Sequence, residues 1–350
     1  SSSGSYRLLK ILIQPSDISA ESLNWISESI GISKADILAT GEKLRIESSQ
    51  RTFFRIPFND KSSILMVVPA GIDESIESFY TKAKIFKKAN VNVPDIYYKN
   101  DTLGHLIVED FGDDVLQFYL NKKNSNKLIK LALEQIHKIE IIELDKNIFS
   151  NFENITENNL NLFKEFFLKE FLEASELEAL KEEIDEFYSI LISELKNHPQ
   201  VINHYDFESR NLMALPKEKI GVIDFQDALI GPLGIDLASL FKDLYREWTK
   251  EEISNWLDFY VENSQIAKKA SLKSIDVKRM IDFASLQRQI RILGKLSQVF
   301  LELKRSERLK DFKTILKYLM NTSSEYTETK KYKDFFKNLI PILEQRLKTL

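Results

Sequence analysis

Cysteine is absent from this sequence of 350 residues. Disulfides, thiolate metal sites and cysteine nucleophiles are therefore excluded, which is consistent with a cytoplasmic protein. No stretch approaches about 18 consecutive apolar residues, and residues 1–5 lack the charged and apolar regions of a signal peptide. We therefore expect a chain that neither spans nor binds a membrane.

An excess of charge of either sign is also lacking, because 49 basic residues nearly balance 53 acidic ones. Proteins that bind nucleic acid usually carry a basic patch, and none stands out here. We therefore expect a small-molecule partner and no nucleic-acid partner. A length of 350 residues exceeds what one compact core usually holds, so about two domains or two lobes are expected.

The first third of the chain reads as short strands with one or two helices, and the rest is dominated by helical periodicity. Three early segments are rich in β-forming residues and are separated by polar turns: 44–47, 52–57 and 63–69. Apolar residues recur on one helical face in four segments: about 73–88, 128–142, 160–172 and 177–195. An extended stretch over residues 201–227 interrupts the helical part of the chain.

Polar side chains are expected to converge in that extended stretch. Its two apolar segments, residues 212–215 and 220–223, can pair across the turn between them, which would return Asp224 close to Asp206 and Asn211. Phosphoryl transfer needs such a set, since its transition state depends on positioning and on neutralising charge. Asp206 is predicted to be the catalytic residue that accepts the proton of an attacking hydroxyl. Asn211 and Asp224 are predicted to hold magnesium as oxygen ligands.

The spacing of these residues matches a known pattern. The chain reads His-x-Asp-x4-Asn over residues 204–211, and Asp224 follows 13 residues later within Ile-Asp-Phe-Gln-Asp-Ala. With a later Gly-Pro-x-x-x-Asp that ends at Asp236, the segment resembles the catalytic segment of the aminoglycoside phosphotransferase and choline kinase superfamily. The resemblance implies that Asp236 ties down the catalytic loop, although a helix N-cap would also suit this residue. His204 is expected to support the loop.

The same resemblance implies an α+β, bilobal, protein-kinase-like fold with a β-rich N-lobe and a mostly helical C-lobe. The expected division is a nucleotide-binding N-lobe, a hinge, and a C-lobe with the catalytic loop and the substrate site: residues 1–108, 109–114 and 115–350. ATP and Mg²⁺ are the implied cofactors. The backbone of Glu109, Asp110 and Phe111 would then meet the adenine edge, with a plain turn between lobes as the alternative.

A lysine that is usual in this fold is missing. Kinases of this kind place it on the third N-lobe strand to bind the α- and β-phosphates, whereas residues 64–68 contain none. Arg51 and Arg55 are the nearest basic residues, and either could substitute, with a solvated charge as the alternative for both. We assign Arg51 to the nucleotide because it lies in a turn where a nucleotide loop belongs.

Within the superfamily, three segments look like those of bacterial anomeric kinases of N-acetylmuramate and N-acetylglucosamine: residues 207–213, 222–232 and 286–294. The similarity implies phosphorylation of an amino sugar at its anomeric hydroxyl during cell-wall recycling. The residues expected to contact the substrate are Glu208, Arg210, Asp227, Gln287, Arg288 and Arg291. For the last three, a solvated helix face is the alternative. Glu208 stands where a histidine is more usual, and its charge is expected to disfavour an acceptor that carries a carboxylate.

Two other functions are open from the sequence. A kinase of the same superfamily could act on an aminoglycoside, a choline-like amine or homoserine. Four acidic residues could supply a cleft for a cationic acceptor: Glu157, Glu173, Glu247 and Glu251. A non-catalytic pseudokinase would explain the missing lysine, but the retention of Asp206, Asn211 and Asp224 argues against it. The sequence leaves the acceptor and the oligomeric state undetermined.

Overall fold

The structure, a computed structural model, describes the chain in three stretches: residues 11–44, 51–69 and 76–350. Contacts within the chain divide it into two compact units. Unit 1 comprises Ser1–Asp114 and Leu215–Gln226, and unit 2 comprises Val115–Ala214 and Asp227–Leu350. Each unit is therefore built from two separate segments of the chain.

A six-stranded antiparallel sheet forms the centre of unit 1, in the order β1-β2-β3-β4-β6-β5. Its strands are β1 (Ile11–Leu12), β2 (Glu42–Leu44), β3 (Thr52–Phe58), β4 (Lys61–Val67), β5 (Ile96–Asn100) and β6 (His105–Glu109). The strands predicted over residues 52–57 and 63–69 correspond to β3 and β4. Of the strand predicted over residues 44–47, only Leu44 belongs to the described residues, and it ends β2.

Three helices accompany the sheet of unit 1: α1 (Ala20–Ile30), α2 (Lys34–Thr40) and α3 (Ile76–Lys88). The side chains of Ser19 and Ser33 accept backbone N–H groups at the N-termini of α1 and α2, which satisfies donors that the helices leave unpaired. Helix α3 confirms the described part of the helix predicted over residues 73–88, and residues 73–75 lie outside the described residues. Of the one or two helices expected in the first third, only α3 was located, and α1 and α2 were not.

Successive side chains of a strand point to opposite sides of a sheet. In this sheet both sides are buried, because helices cover them. One cluster joins strand residues to α1 and α2: Phe54, Ile56, Leu65 and Ile107 with Ile26 and Ile37. The other cluster joins strand residues to α3: Met66, Leu106 and Val108 with Ile76 and Phe79. A strand that is covered on both faces needs apolar residues at every position, which explains the continuous apolar run over residues 64–68.

Helices dominate unit 2. They are α4 (Leu116–Tyr119), α5 (Ser125–Glu140), α6 (Glu153–Leu162), α7 (Leu177–Lys196), α8 (Gly234–Phe241), α9 (Lys250–Asn263), α10 (Gln265–Lys269), α11 (Ser274–Leu303), α12 (Phe312–Ser324) and α13 (Lys333–Lys348). The helices predicted over residues 128–142 and 177–195 correspond to α5 and α7. Residues 160–172 differ from a plain α-helix, because α6 continues as a π-helical segment, Phe163–Phe171. No helix within the described residues is long and apolar enough to cross a membrane.

Helix α11 is the central helix of unit 2, since it packs against α6, α7, α8, α9 and α12. Two glycines permit this close packing. A Cβ atom on Gly294 of α11 would lie 2.5 Å from the backbone nitrogen of Phe163, and one on Gly234 of α8 would collide with the backbone of Met280. The approach brings the middle of α11 against the loop that follows β7 (Gln200–Asn203), a strand that pairs antiparallel with β10 (Leu229–Pro232).

Candidate active site

A buried carboxylate, that of Asp236, holds the loop after β7 through hydrogen bonds. Asp236, in the first turn of α8, accepts the backbone N–H of His204 at 2.6 Å and that of Tyr205 at 3.0 Å. Tyr205 adopts a left-handed backbone conformation with φ of 83°, which is costly for a residue with a large side chain. The two hydrogen bonds therefore stabilise a strained turn. Leu233, not Asp236, occupies the N-cap position of α8, so the alternative role of Asp236 as an N-cap is wrong.

Burial raises the pKa of Asp236 to about 6, although the loop N–H groups and His204 act in the opposite direction. The His204 ring is buried, and its Nδ1 atom accepts the backbone N–H of Asp206, in the same loop, at 3.2 Å. Its edge also meets the ring of Phe207. Asp236 and His204 thus fix the backbone immediately before the predicted catalytic residue.

The carboxylate of Asp206 is paired with a cation from α11. The Nη2 atom of Arg291 lies 2.9 Å from Oδ1 of Asp206, and the guanidinium group stacks on the ring of Tyr205 at 4.3 Å. Burial alone would raise the pKa of Asp206. The charges of Arg291 and Arg288 outweigh that effect and hold the pKa of this carboxyl well below its ordinary value. Asp206 is therefore an anion throughout the physiological pH range.

A second carboxylate of the loop, Glu208, is shared between two further arginines. The Nη2 atoms of Arg210 and Arg288 lie 3.2 and 3.1 Å from Oε1 of Glu208. Together with Arg291 and Asp206, this forms a cluster of three guanidinium groups and two carboxylates. The Arg288 side chain is only 4% exposed, and its Nη2 atom contacts Glu208 as an ion pair without hydrogen-bond geometry. Within the described residues, its Nε and Nη1 atoms are buried without a hydrogen-bonding partner. The cluster therefore holds one cation in excess, together with buried donors.

The remaining residues predicted to contact the substrate fall outside this cluster. Gln287 is buried in α11 and donates its side-chain NH₂ to the hydroxyl of Tyr188 at 3.1 Å. Asp227 is exposed. Burial is the main cause of the raised pKa of Tyr205, and the charge of Asp227 raises it further. The solvated-face alternative is wrong for Gln287 and Arg288, because α11 lies in the middle of unit 2 and both sides of the helix are covered.

Asp243 is a site residue that sequence reasoning missed. It is buried just beyond α8, and one carboxylate oxygen accepts both the N–H of Ser209 at 2.9 Å and its hydroxyl at 2.5 Å. Ser209 begins a 3₁₀ helix of one turn, Ser209–Asn211. The available signal was the spacing of seven residues between Asp236 and Asp243, which would place both near the same side of a helix that continued to Asp243. Two aspartates thus hold the loop at its start and at its end.

The residues of unit 1 that were predicted to bind the nucleotide differ in their burial and in their partners. Asp110 accepts Nε of Arg55 at 2.6 Å and the hydroxyl of Ser62 at 2.6 Å, and these contacts hold its pKa below the ordinary value although burial opposes them. Arg55 is therefore a structural cation, and the solvated-charge alternative is wrong for it. Glu109 ends β6, while Arg51 lies half-buried just before β3.

Phe111 packs against the second segment of unit 1, which also carries Asp224. A Cβ atom on Gly221, in β9 (Lys219–Val222), would lie 2.7 Å from the Phe111 ring, so the ring packs directly on that strand. Asp224 follows β9 and is exposed, with a left-handed φ of 59°. The Gln226 side-chain NH₂ donates to Oδ1 of Asp224. This contact leaves Oδ2 available to other groups.

The donor chemistry of Asn211 and Asp224 fits magnesium. Among the described residues, no cluster of three or more histidine, aspartate or glutamate side chains could hold a metal ion by itself. Magnesium does not require one, because it usually binds one or two protein oxygens together with substrate phosphates and water. Asn211 donates its side-chain NH₂ to the carbonyl oxygen of Asp206 at 2.9 Å, which directs its amide oxygen elsewhere.

The chain is similar to known proteins over most of its length. The model of the phosphotransferase enzyme family matches residues 40–269. The N-acetylmuramate/N-acetylglucosamine kinase of Neisseria meningitidis serogroup B is 28% identical, over 79% of this chain and 84% of that protein. The kinase of the same name from Pseudomonas putida is 26% identical, over 72% of this chain and 74% of that protein.

Solved structures show the same fold at lower identity. ADP-bound aminoglycoside phosphotransferase APH(2'')-Ib is 17% identical with a TM-score of 0.62, over 87% of this chain and 99% of that one. Choline kinase LicA from Streptococcus pneumoniae is 16% identical with a TM-score of 0.62, over 85% of this chain and 98% of that one. The α+β, protein-kinase-like fold predicted from the sequence is confirmed by these likenesses.

We predict that Asp236 makes stability depend on pH. A carboxyl whose pKa rises from 3.8 to about 6 on folding stabilises the fold below the unfolded pKa, and this contribution is lost as pH rises through about 6. Relative to Asp236→Asn, the wild-type free energy of unfolding should fall by about 2–3 kcal/mol between about pH 4 and pH 7. Denaturant titrations of both proteins measure this difference. A difference between the two proteins that stays constant with pH would contradict the assignment.

Proposed function

The chain belongs to the phosphotransferase enzyme family, and on that premise we propose that it transfers the γ-phosphoryl group of ATP to the anomeric hydroxyl of an N-acetylated amino sugar. Membership of the family makes the chain a nucleotide-using kinase that acts on a hydroxyl group. The names of the sequence relatives support the amino sugar as acceptor. A role in cell-wall recycling is part of the same proposal.

We assign the acceptor hydroxyl to Asp206. As the sugar oxygen forms its bond to the γ-phosphorus, the bond from phosphorus to the β,γ-bridging oxygen breaks, ADP leaves, and the hydroxyl proton passes to the Asp206 carboxylate. A carboxylate with a lowered pKa is a weak base but a reliable anionic acceptor that orients the O–H group. The anomeric hydroxyl is more acidic than an ordinary alcohol, so it needs less help from the base.

Asn211 and Asp224 are proposed as the magnesium ligands. Bound there, magnesium would neutralise negative charge on the ATP phosphates and so permit the approach of the sugar oxygen. The backbone of Glu109, Asp110 and Phe111 is proposed to meet the adenine edge, as the hinge at residues 109–114 between an N-lobe and a C-lobe. The side chain of Asp110 takes no part in this role, because it is already paired with Arg55. Arg51 remains the proposed phosphate contact.

The choice of acceptor rests on the buried guanidinium group of Arg288. Its Nε and Nη1 donors are buried without a hydrogen-bonding partner among the described residues, and such donors are costly unless a ligand completes their hydrogen bonds. A guanidinium group suits sugar hydroxyls and, still better, a carboxylate. Glu208 was expected to disfavour acceptors with a carboxylate, but Arg210 and Arg288 compensate its charge. We therefore propose that N-acetylmuramate, which carries a lactyl carboxylate, is accepted together with N-acetylglucosamine.

A panel of acceptors tests this proposal. The protein is incubated with ATP, magnesium and one acceptor at a time, and ADP release is measured. We expect turnover with N-acetylglucosamine and N-acetylmuramate, and a loss of at least about a hundredfold with glucose, because the groups that bind the acetamide would be left unpaired. Turnover with only an aminoglycoside, choline or homoserine would favour the other kinases of the superfamily, and nucleotide binding without any turnover would favour a pseudokinase.

Asp206→Asn separates catalysis from nucleotide binding. The substitution keeps the shape of the side chain but removes the anion that receives the proton, so kcat should fall about a hundredfold or more. The Kd for Mg-ATP, measured by calorimetry, should stay within about twofold of the wild-type value, because the residue is assigned to the acceptor. Asp334→Asn is the matched surface control. Near-normal turnover of Asp206→Asn would exclude this residue as the catalytic base.

A further inference from the structure

Lys82 is the one lysine that is buried among the described residues. It lies in the middle of α3 with 7% exposure, whereas the neighbouring Lys84 of the same helix is exposed. Removing an ammonium group from water is costly unless the protein supplies hydrogen bonds. One such bond goes to the backbone of unit 1's second segment, where Nζ donates to the carbonyl oxygen of Gln226 at 2.5 Å.

Gln226 connects this lysine to Asp224. Its carbonyl oxygen receives the Lys82 ammonium group, while its side-chain NH₂ donates to the carboxylate of Asp224, two residues earlier. A hydrogen bond from a charged donor is stronger than a neutral one. Lys82 therefore restrains the residue that in turn orients the Asp224 carboxylate.

Aromatic contacts from the same helix face restrain the residue in between. The ring of Phe225 lies 4.8 Å from that of Phe79 and 5.4 Å from that of Phe86, centroid to centroid. Phe79, Lys82 and Phe86 are spaced three and four residues apart, so they share one face of α3. One helix face thus contacts two consecutive residues after Asp224, one through rings and the other through a cation.

The turn needs this restraint because of its backbone conformation. Asp224 is a non-glycine residue with φ of 59°, and such conformations persist only where surrounding contacts hold them. Asp224 itself is exposed, so its neighbours in the chain must supply those contacts. Without the Lys82 bond, the carbonyl of Gln226 would be free to rotate, and the Asp224 carboxylate would lose its fixed direction.

We propose that Lys82 is a positioning residue that holds Asp224 in the orientation required to bind the magnesium of the Mg-nucleotide complex. The inference rests on the proposed function, since it takes Asp224 as the metal ligand. Helix α3 then contributes to nucleotide binding indirectly, because its buried Lys82 orients the residue that binds the metal. Removing the charge should therefore weaken the contribution of magnesium to nucleotide affinity and leave metal-free nucleotide binding in place.

Calorimetry with ADP tests this inference without relying on turnover. The Kd for ADP is measured in excess magnesium and in EDTA, and the ratio of the two gives the gain due to the metal. The variants are Lys82→Met, which keeps the apolar stem, Lys82→Arg, which keeps the charge, and Lys84→Met as the exposed control on the same helix. Asp224→Ala gives the full effect of losing the proposed metal ligand.

For Lys82→Met we expect the gain due to magnesium to fall about 10- to 100-fold, as is typical when a residue that supports a metal ligand is removed. The Kd in EDTA should stay within about twofold of wild type, Lys82→Arg should recover most of the gain, and Lys84→Met should match wild type. An unchanged gain in Lys82→Met would overturn the inference. Equal loss of binding in EDTA and in magnesium would also overturn it, because the lysine would then serve only the fold. If wild type bound no ADP under either condition, the proposed function itself would fail.

Discussion

The hydrogen bonds from the backbone of His204 and Tyr205 to Asp236 are the constraint on which the site of unit 2 depends. They hold a left-handed residue directly before Asp206, so the carboxylate that we propose as the catalytic base extends from a backbone that is kept out of an ordinary extended conformation. Asp243 provides a similar anchor at Ser209, where the loop becomes a short 3₁₀ turn. Both anchors are buried aspartates in or just after one helix, so the loop is positioned by rigid secondary structure.

Electrostatics follows from that geometry. A loop that carries Asp206 and Glu208 against the middle of α11 would bury two negative charges, and burial of unpaired charge is strongly unfavourable. Arg288 and Arg291 on α11, with Arg210 of the loop, reverse the sign of the cluster. The same arginines keep Asp206 ionised and leave buried donors for an acceptor. In the proposed function, the ionisation of Asp206 and the choice of acceptor therefore depend on the same arginines.

The sequence predicted those parts of the molecule that local patterns determine. The strands near residues 52–57 and 63–69 and the helix that became α3 have clear periodicity, and the motif over residues 204–211 pointed to the family. Helices α1 and α2 were missed even though Ser19 and Ser33 are good caps, because the early β-rich pattern dominated the interpretation. The burial of Gln287 and Arg288 depends on tertiary packing around Gly234 and Gly294, which helical periodicity does not reveal. Lys82 could not be recognised, since its partner lies 144 residues later in the chain.

We propose that Asp206 directs an anomeric hydroxyl of an amino sugar to the γ-phosphate of ATP. Phosphorus NMR of the product formed from ATP and N-acetylglucosamine is the decisive measurement. We expect a single phosphomonoester coupled to the anomeric proton of the sugar, and its phosphate should be released by mild acid, as is characteristic of a glycosyl phosphate. A phosphate that is stable to mild acid and coupled to protons at another carbon would contradict the proposal, because the hydroxyl presented to Asp206 would then be a different one.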